Sequence, residues 1–300
     1  MYVILGASGH TGSVVAQTLL RKREKVRVVG RSKERLAPLV SQGAEAFAAD
    51  ASDAQALTKA FQGARAVYAL VPPNMSAEDF GAYQGRVANA IAKALESARI
   101  THAVVLSSEG ADKESGTGPV AGLHRMEVQL NGIQGLNVLH LRAGYFMENT
   151  LPQTGIIRTL GKMAGPVRAD LPIPMIATRD IGAFAAQELA SLRFSGKQAR
   201  ELLGQRDLTY SEAARIIGAA IGKPNLTYVQ LPTEQVIQGM MQMGMSQNMA
   251  ELLCEMSEAM NRGYMKPLEE RSPANTTPTS LESFVREVWV PAYQSKAVSA

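Results

Sequence analysis

A single cysteine, Cys254, occurs among the 300 residues. One thiol can form neither an internal disulfide nor a cysteine metal cage, so the fold must rest on its core, and a reducing compartment fits. No apolar run approaches the roughly 20 residues that a membrane helix needs. A first strand expected from Tyr2 leaves no place ahead of it for the charged and apolar parts of a secretion signal. These absences predict a soluble, cytoplasmic protein. An excess of one charge is missing too, since 31 basic residues stand against 27 acidic ones, a formal net charge of +4. The one basic cluster, Arg21, Lys22, Arg23 and Lys25, reads as the solvated end of a helix, and no nucleic-acid partner is expected. His10, His102 and His140 are far apart and lack ligand spacing, so no metal site is expected, and His140 reads as a satisfied core histidine.

What is present is regular. Short apolar runs alternate with helical patterns through the first half, the mark of βαβ units and a parallel sheet. Strands are expected at Tyr2–Leu5, Val26–Val29, Ala44–Ala48, Ala66–Val71, Ala103–Ser107 and Val138–Leu141. Beyond Gly144, Pro152, Pro166, Pro172 and Pro174 break the chain into short pieces ahead of a helix beginning near Asp180 and a strand at Glu201–Leu203. Thr209 with Glu212, and Thr279 with Glu282, have the spacing of capping boxes, and Lys266–Thr279 reads as a surface loop. The expected architecture is α/β, a Rossmann-type doubly wound parallel sheet with a smaller, mainly helical C-terminal lobe. Residues 1–150, joined by 178–205, would form the dinucleotide domain; 151–177 and 206–300 would form the lobe.

Directly after the first strand comes Gly6-Ala-Ser-Gly9-His-Thr-Gly12, followed by an amphipathic helix. In such a turn the first glycine allows the tight bend, the second a close approach of backbone to pyrophosphate, and the third the packing of helix on strand. Gly6, Ser8, Gly9, His10, Thr11 and Gly12 are therefore candidate cofactor contacts. An acidic residue that would hold ribose hydroxyls is missing at the end of the second strand, where Gly30 and Arg31 stand. A carboxylate there would repel a 2′-phosphate, whereas a guanidinium can bind it, so NADP is favoured over NAD unless Arg31 is an ordinary surface residue. Asp50 has two readings, an acceptor for the adenine amine or a cap for the next helix. Leu70 and Val71 close the fourth strand on the ligand side of the sheet.

The glycine turn resembles that of short-chain dehydrogenases. Four further stretches make the chain similar to their atypical NmrA-like branch: Leu136 to Asn149, Thr178 to Gly182, Leu208 to Glu212 and Thr277 to Phe284. The resemblance implies an NADP-binding Rossmann domain, a variable C-terminal lobe and a cleft between them. Members of that branch include NADPH-dependent reductases of quinones, azo compounds and isoflavonoid-like aromatics, and also redox sensors that bind the dinucleotide and act through protein partners. No tyrosine here has a lysine four residues on, so the tyrosine and lysine machinery of alcohol dehydrogenation is missing. The resemblance places His124 near the nicotinamide ribose, as a holder of hydroxyls or a proton relay, with a surface histidine as the alternative. It also sets Tyr145, Phe146 and Asn149 beside the nicotinamide; Ser107 and Ser108, ending the fifth strand, are expected to line the cofactor cleft. Met240, Met241, Met243, Met245, Met249, Met256 and Met260 either fill core gaps or line an adaptable pocket. The expected activity is hydride transfer from NADPH to a conjugated acceptor such as a quinone or azo compound, with His124 and Tyr145 as candidate catalytic residues. The alternative is a non-catalytic NADP sensor with a protein partner; a sugar-nucleotide epimerase comes third.

Overall fold

The computed structural model describes residues 1–295. In chain order the elements are β1 (Tyr2–Leu5), α1 (His10–Arg21), β2 (Val26–Gly30), α2 (Lys33–Val40), β3 (Glu45–Ala48), α3 (Ala54–Phe61), β4 (Ala66–Ala69), α4 (Phe80–Ser97), β5 (His102–Ser108), α5 (Val120–Asn131) and β6 (Asn137–Ala143). There follow β7 (Tyr145–Phe146), α6 (Gln153–Leu160), β8 (Met163–Gly165), β9 (Ile173–Ile176), α7 (Thr178–Ser191), β10 (Lys197–Leu202), β11 (Asp207–Leu208), α8 (Tyr210–Ala220) and β12 (Tyr228–Gln230). The last helices are α9 (Thr233–Gln242), α10 (Gln247–Asn261), α11 (Leu281–Phe284) and α12 (Val290–Gln294).

Seven strands form one parallel sheet in the order β10-β6-β5-β4-β1-β2-β3. The order reverses between β1 and β4, and a doubly wound sheet opens its ligand crevice at that point. Strand β1, Tyr-Val-Ile-Leu, is buried along its whole length because helices cover both faces. Tyr2, Ile4, Val28, Tyr68 and Val104 pack on one face against Val15 and Leu19 of α1 and Ile181 and Ala185 of α7. Val3, Leu5, Val67 and Val105 pack on the other against Leu57, Ile91 and Met126 of α3, α4 and α5. A third apolar core, around Trp289, Tyr210, Ile217 and Met163, gathers mostly segments from the second half of the chain, with Ala111, Val120 and Met147 joining from before it. Among the described residues no helix is long and apolar enough to cross a membrane.

Several expected boundaries move, each for a visible reason. The fourth strand stops at Ala69 instead of Val71, since Pro72 and Pro73 have no N–H to continue the ladder, and Leu70 and Val71 form a loop. The strand expected from Glu201 begins at Lys197; its first residues are polar because β10 is an edge strand. The helix expected near Asp180 starts at Thr178, with Asp180 buried in its first turn. Thr209 and Glu212 form the expected capping box. Thr279 and Glu282 do not: Thr279 gives both its hydroxyl and its backbone N–H to Asp180, and Glu282 turns to Arg206, so the cap of α11 falls to Ser280. The stretch Lys266–Thr279 is irregular, as expected, yet Asn275, Thr277 and Thr279 are buried. Leu203 N–H donates to the Asn275 carbonyl and Thr277 N–H to that of Gly204, so the loop's polar backbone is satisfied against the end of β10. The basic cluster does lie exposed at the end of α1.

Candidate functional site

At the switch point Gly6 adopts a left-handed conformation, φ +71°, that side chains rarely take. A Cβ on Gly12 would sit 2.5 Å from the Gly6 carbonyl oxygen, so the first turn of α1 lies directly on the bend. Gly9 caps α1 without a side chain, and no acidic residue occupies the first turn. The N–H groups at this helix end therefore have no side-chain acceptor and carry the positive end of the helix dipole, a seat for an anion.

A cleft of about 1190 Å³ opens over that seat, with Gly6, Ser8, Gly9, His10 and Thr11 in its wall. Its volume exceeds that of a typical small-molecule pocket and leaves room for a dinucleotide and more. At one end stand Arg31, Ser32 and Arg35, with Asp50 close by. Both arginines are exposed, and among the described residues neither guanidinium has a carboxylate partner. Asp50 does not cap α3; Asp53 does, accepting from Gln55 and Ala56 N–H, while Asp50 accepts from the Ser52 hydroxyl and N–H. Those bonds hold the Asp50 carboxyl below its usual range. Orphan helix N–H groups at the centre and unpaired guanidinia at one end fit a dinucleotide carrying an extra phosphate.

The cleft continues past Leu70, Val71, Ser107 and Ser108 to Tyr145, Phe146 and Asn149. Gly12 stands behind the wall as a packing glycine. The Tyr145 hydroxyl lies 2.7 Å from that of Tyr210, whose ring stacks on Tyr228 with centroids 4.5 Å apart. Burial pushes the Tyr145 phenol up despite that bond. Its hydroxyl is thus engaged within the protein, and its ring is the part left to face a ligand.

His124 is not brought to this wall. Its neighbours on α5, Val120 and Leu123, line the cleft, but the His124 ring lies in a separate hollow with Glu114, Ser115 and Arg125. Its Nδ1 is 2.9 Å from the Ala111 carbonyl, which can only accept, so that nitrogen carries the proton. His140 is buried with one ring nitrogen 3.0 Å from Asn131 Oδ1, but the other, Nδ1, lacks a partner, short of the full satisfaction expected. Burial lowers its pKa to about 4. The methionines divide: Met241 and Met243 are exposed, Met249 is buried, and Met256 and Met260 line the cleft with Met75 and Met265.

Reading the sequence missed four side chains here. Arg35, in the first turn of α2 and four residues past Arg31, joins the basic end, a spacing that was there to see. Glu148 lines the cleft and accepts from the Thr178 N–H and hydroxyl, capping α7 from a distant segment. Glu127 is buried, accepting from the Ser107 hydroxyl at 2.5 Å and from Arg142 at 2.6 and 3.1 Å. Glu109, one residue past β5, lines the cleft and is almost wholly buried. Only its place just beyond a strand's carboxyl end marked it in the sequence.

The model of the NmrA-like family matches residues 2–285. An NAD(P)H azoreductase of Xenophilus azovorans is 26% identical over 280 residues, covering 92% of this chain and 93% of that protein. In structure the chain is similar to an NADPH-dependent quinone oxidoreductase from Escherichia coli, solved with NADPH, at a TM-score of 0.80 and 23% identity over 95% and 99% of the two chains. It is similar also to the triphenylmethane reductase of Citrobacter sp., solved with NADP(H), at 0.79 and 20% over the same shares.

Proposed function

The chain belongs to the NmrA-like family, and from that premise we propose that it is an NADPH-dependent reductase that passes hydride to a conjugated acceptor such as a quinone or azo compound. One observation carries the reading: a single cleft runs from an uncapped helix N-terminus, with Arg31 and Arg35 at one end, to a wall of Tyr145, Phe146 and methionines at the other. The names of the relatives, an azoreductase and a quinone oxidoreductase, support it.

When bound, NADPH supplies the hydride. The chain's own residues do the rest. The N–H groups of the first turn of α1 hold the diphosphate, and Arg31 with Arg35 holds the 2′-phosphate by charge-assisted hydrogen bonds. Leu70, Val71 and Ser107 line the middle of the groove, and Phe146, Asn149 and the Tyr145 ring fix the face on which the acceptor lies. Met256, Met260 and Met265 cover that face with soft side chains that exclude water and adapt to flat rings of different outline. On this reading residues 1–150 with 178–205 carry the cofactor, and the remainder of the chain closes over the acceptor.

The experiment is NADPH oxidation by purified protein against a panel of quinones and azo dyes. Turnover that saturates with at least one acceptor is expected. Tight binding of NADPH with oxidation no faster than in buffer for every acceptor would overturn the reading, and the protein would then be a sensor.

A further inference from the structure

We propose that the Glu109 carboxylic acid supplies the proton that accompanies hydride transfer to an acceptor bound in this cleft. The inference rests on the reductase reading and adds a catalytic residue to it. Reduction of a quinone by hydride leaves negative charge on an oxygen, and the product is complete only when that oxygen gains a proton. Here the Glu109 O–H bond breaks as an O–H bond forms on the acceptor; NADPH leaves as NADP⁺, and water later returns the proton to Glu109.

The surroundings of Glu109 argue for an acid. Its side chain has no hydrogen-bond partner among the described residues, although the residue is only 6% exposed and lies in the cleft wall next to Ser108. Three other carboxylates approach it: Glu201 from β10, Asp207 from β11 and Asp112 from the turn after β5. Each has its own donor. Glu201 accepts from the backbone N–H groups of Leu268 and Glu269, Asp207 from Arg271 and Asp112 from Lys113. Arg142, on the adjoining strand β6, is taken by Glu127. Arg271, Lys113 and Arg142 are thus engaged by other carboxylates, and Glu109 is left to desolvation and like charge. Burial first, and then those three acidic neighbours, push its pKa up to about 8. A general acid works best with a pKa close to the operating pH.

The contrast with Glu127 isolates the cause. Both glutamates are buried, Glu127 on α5 against Ser107 and Arg142 and Glu109 just past the end of β5, yet Glu127 receives a guanidinium and a hydroxyl while Glu109 receives neither. A buried carboxyl without a donor is stable only as the neutral acid.

Two measurements test the inference. Infrared spectroscopy across a pH series reads the protonation of the wild-type protein directly: a protonated-carboxyl band is expected at neutral pH, fading near pH 8 and missing from Glu109→Gln. The second compares turnover of the wild type and Glu109→Gln with a quinone as pH is varied. The wild-type kcat should fall above roughly pH 8 and show a solvent isotope effect. Glu109→Gln should lose that limb and that isotope effect, with kcat lower by about a hundredfold and NADPH affinity unchanged. Gln has the shape of the neutral acid and preserves the fold. No band, or a variant with the wild-type pH profile, would overturn the proposal and leave the reductase reading standing. A wild type that turns over no acceptor would overturn both.

Discussion

The two ends of the cleft are built on different principles. At the phosphate end the groups offered to a ligand belong to the backbone of one short segment, residues 6 to 12, helped by two arginines four positions apart. At the acceptor end they come from β5, β7, α10 and the loop after it, and they are side chains: Ser108, Glu109, Tyr145, Phe146, Met256, Met260 and Met265. The first end is a local device that can be moved whole from protein to protein. The second exists only after three distant segments have packed, so it can vary without loss of the fold. On the proposed reading, such a division lets a fold keep its cofactor seat while its acceptor seat changes.

The largest effect should come from breaking the local device. Gly12→Val puts methyl groups against the Gly6 carbonyl, already 2.5 Å from a bare Cβ. A loss of about 3 kcal/mol, or roughly a hundredfold in NADPH affinity, is expected by titration calorimetry, whatever happens at the acceptor end. Next comes Arg142→Met, which leaves the Glu127 carboxylate buried without its cation. Removing the cation of this pair, whose arginine keeps some contact with solvent, should cost about 2 kcal/mol, readable as a lower urea midpoint. Because Glu127 also accepts from Ser107, the acceptor end should suffer with it.

Two buried groups predict opposite pH limbs of stability. Glu109 holds its proton to about pH 8 in the folded protein against 4.5 ordinarily, so the folded state binds the proton more tightly. Stability must fall as pH rises between those values, and Glu109→Gln should flatten the slope. His140 behaves in the reverse sense. Its folded value near 4 lies below the ordinary 6.5, so the unfolded chain takes the proton first and stability is lost as pH falls from about 6.5 to 4. Urea midpoints of Glu109→Gln and His140→Gln across pH separate the two limbs.

How much of this was written in the sequence follows the same division. The glycine turn, the parallel sheet, the helix-end position of the basic cluster and the capping box at Thr209 were legible because each depends on residues within a few positions of one another. The second cap was misplaced because Asp180, about a hundred residues earlier, claims the Thr279 hydroxyl. The acidity of Glu109 was invisible for the same reason, since Glu201 and Asp207 reach it only through the fold. His124 shows the limit of analogy: its helix borders the cleft, but a helix turns about 100° per residue, and the ring belongs to the next face.

Smaller effects sharpen the comparison further. Arg31→Ala and Arg35→Ala should each reduce the preference for NADPH over NADH by about tenfold, near 1.4 kcal/mol for a charge-assisted contact, while leaving NADH affinity in place. Equal affinities for the two dinucleotides in the wild type would show that the basic end is ordinary surface. His124→Ala should change quinone turnover less than about twofold, because the ring is held on the Ala111 carbonyl outside the cleft. A much larger loss would bring His124 back into the chemistry.

The central claim is that one cleft holds NADPH by its basic end and delivers hydride at its aromatic end. Reduction of a quinone by NADPH carrying deuterium at the transferred position tests it most directly. The account predicts that deuterium slows a single turnover by a primary isotope effect when protein, cofactor and acceptor are mixed, with wild-type protein holding NADPH more tightly than NADH. Binding of NADPH without any deuterium-sensitive transfer to any quinone or azo acceptor would contradict it.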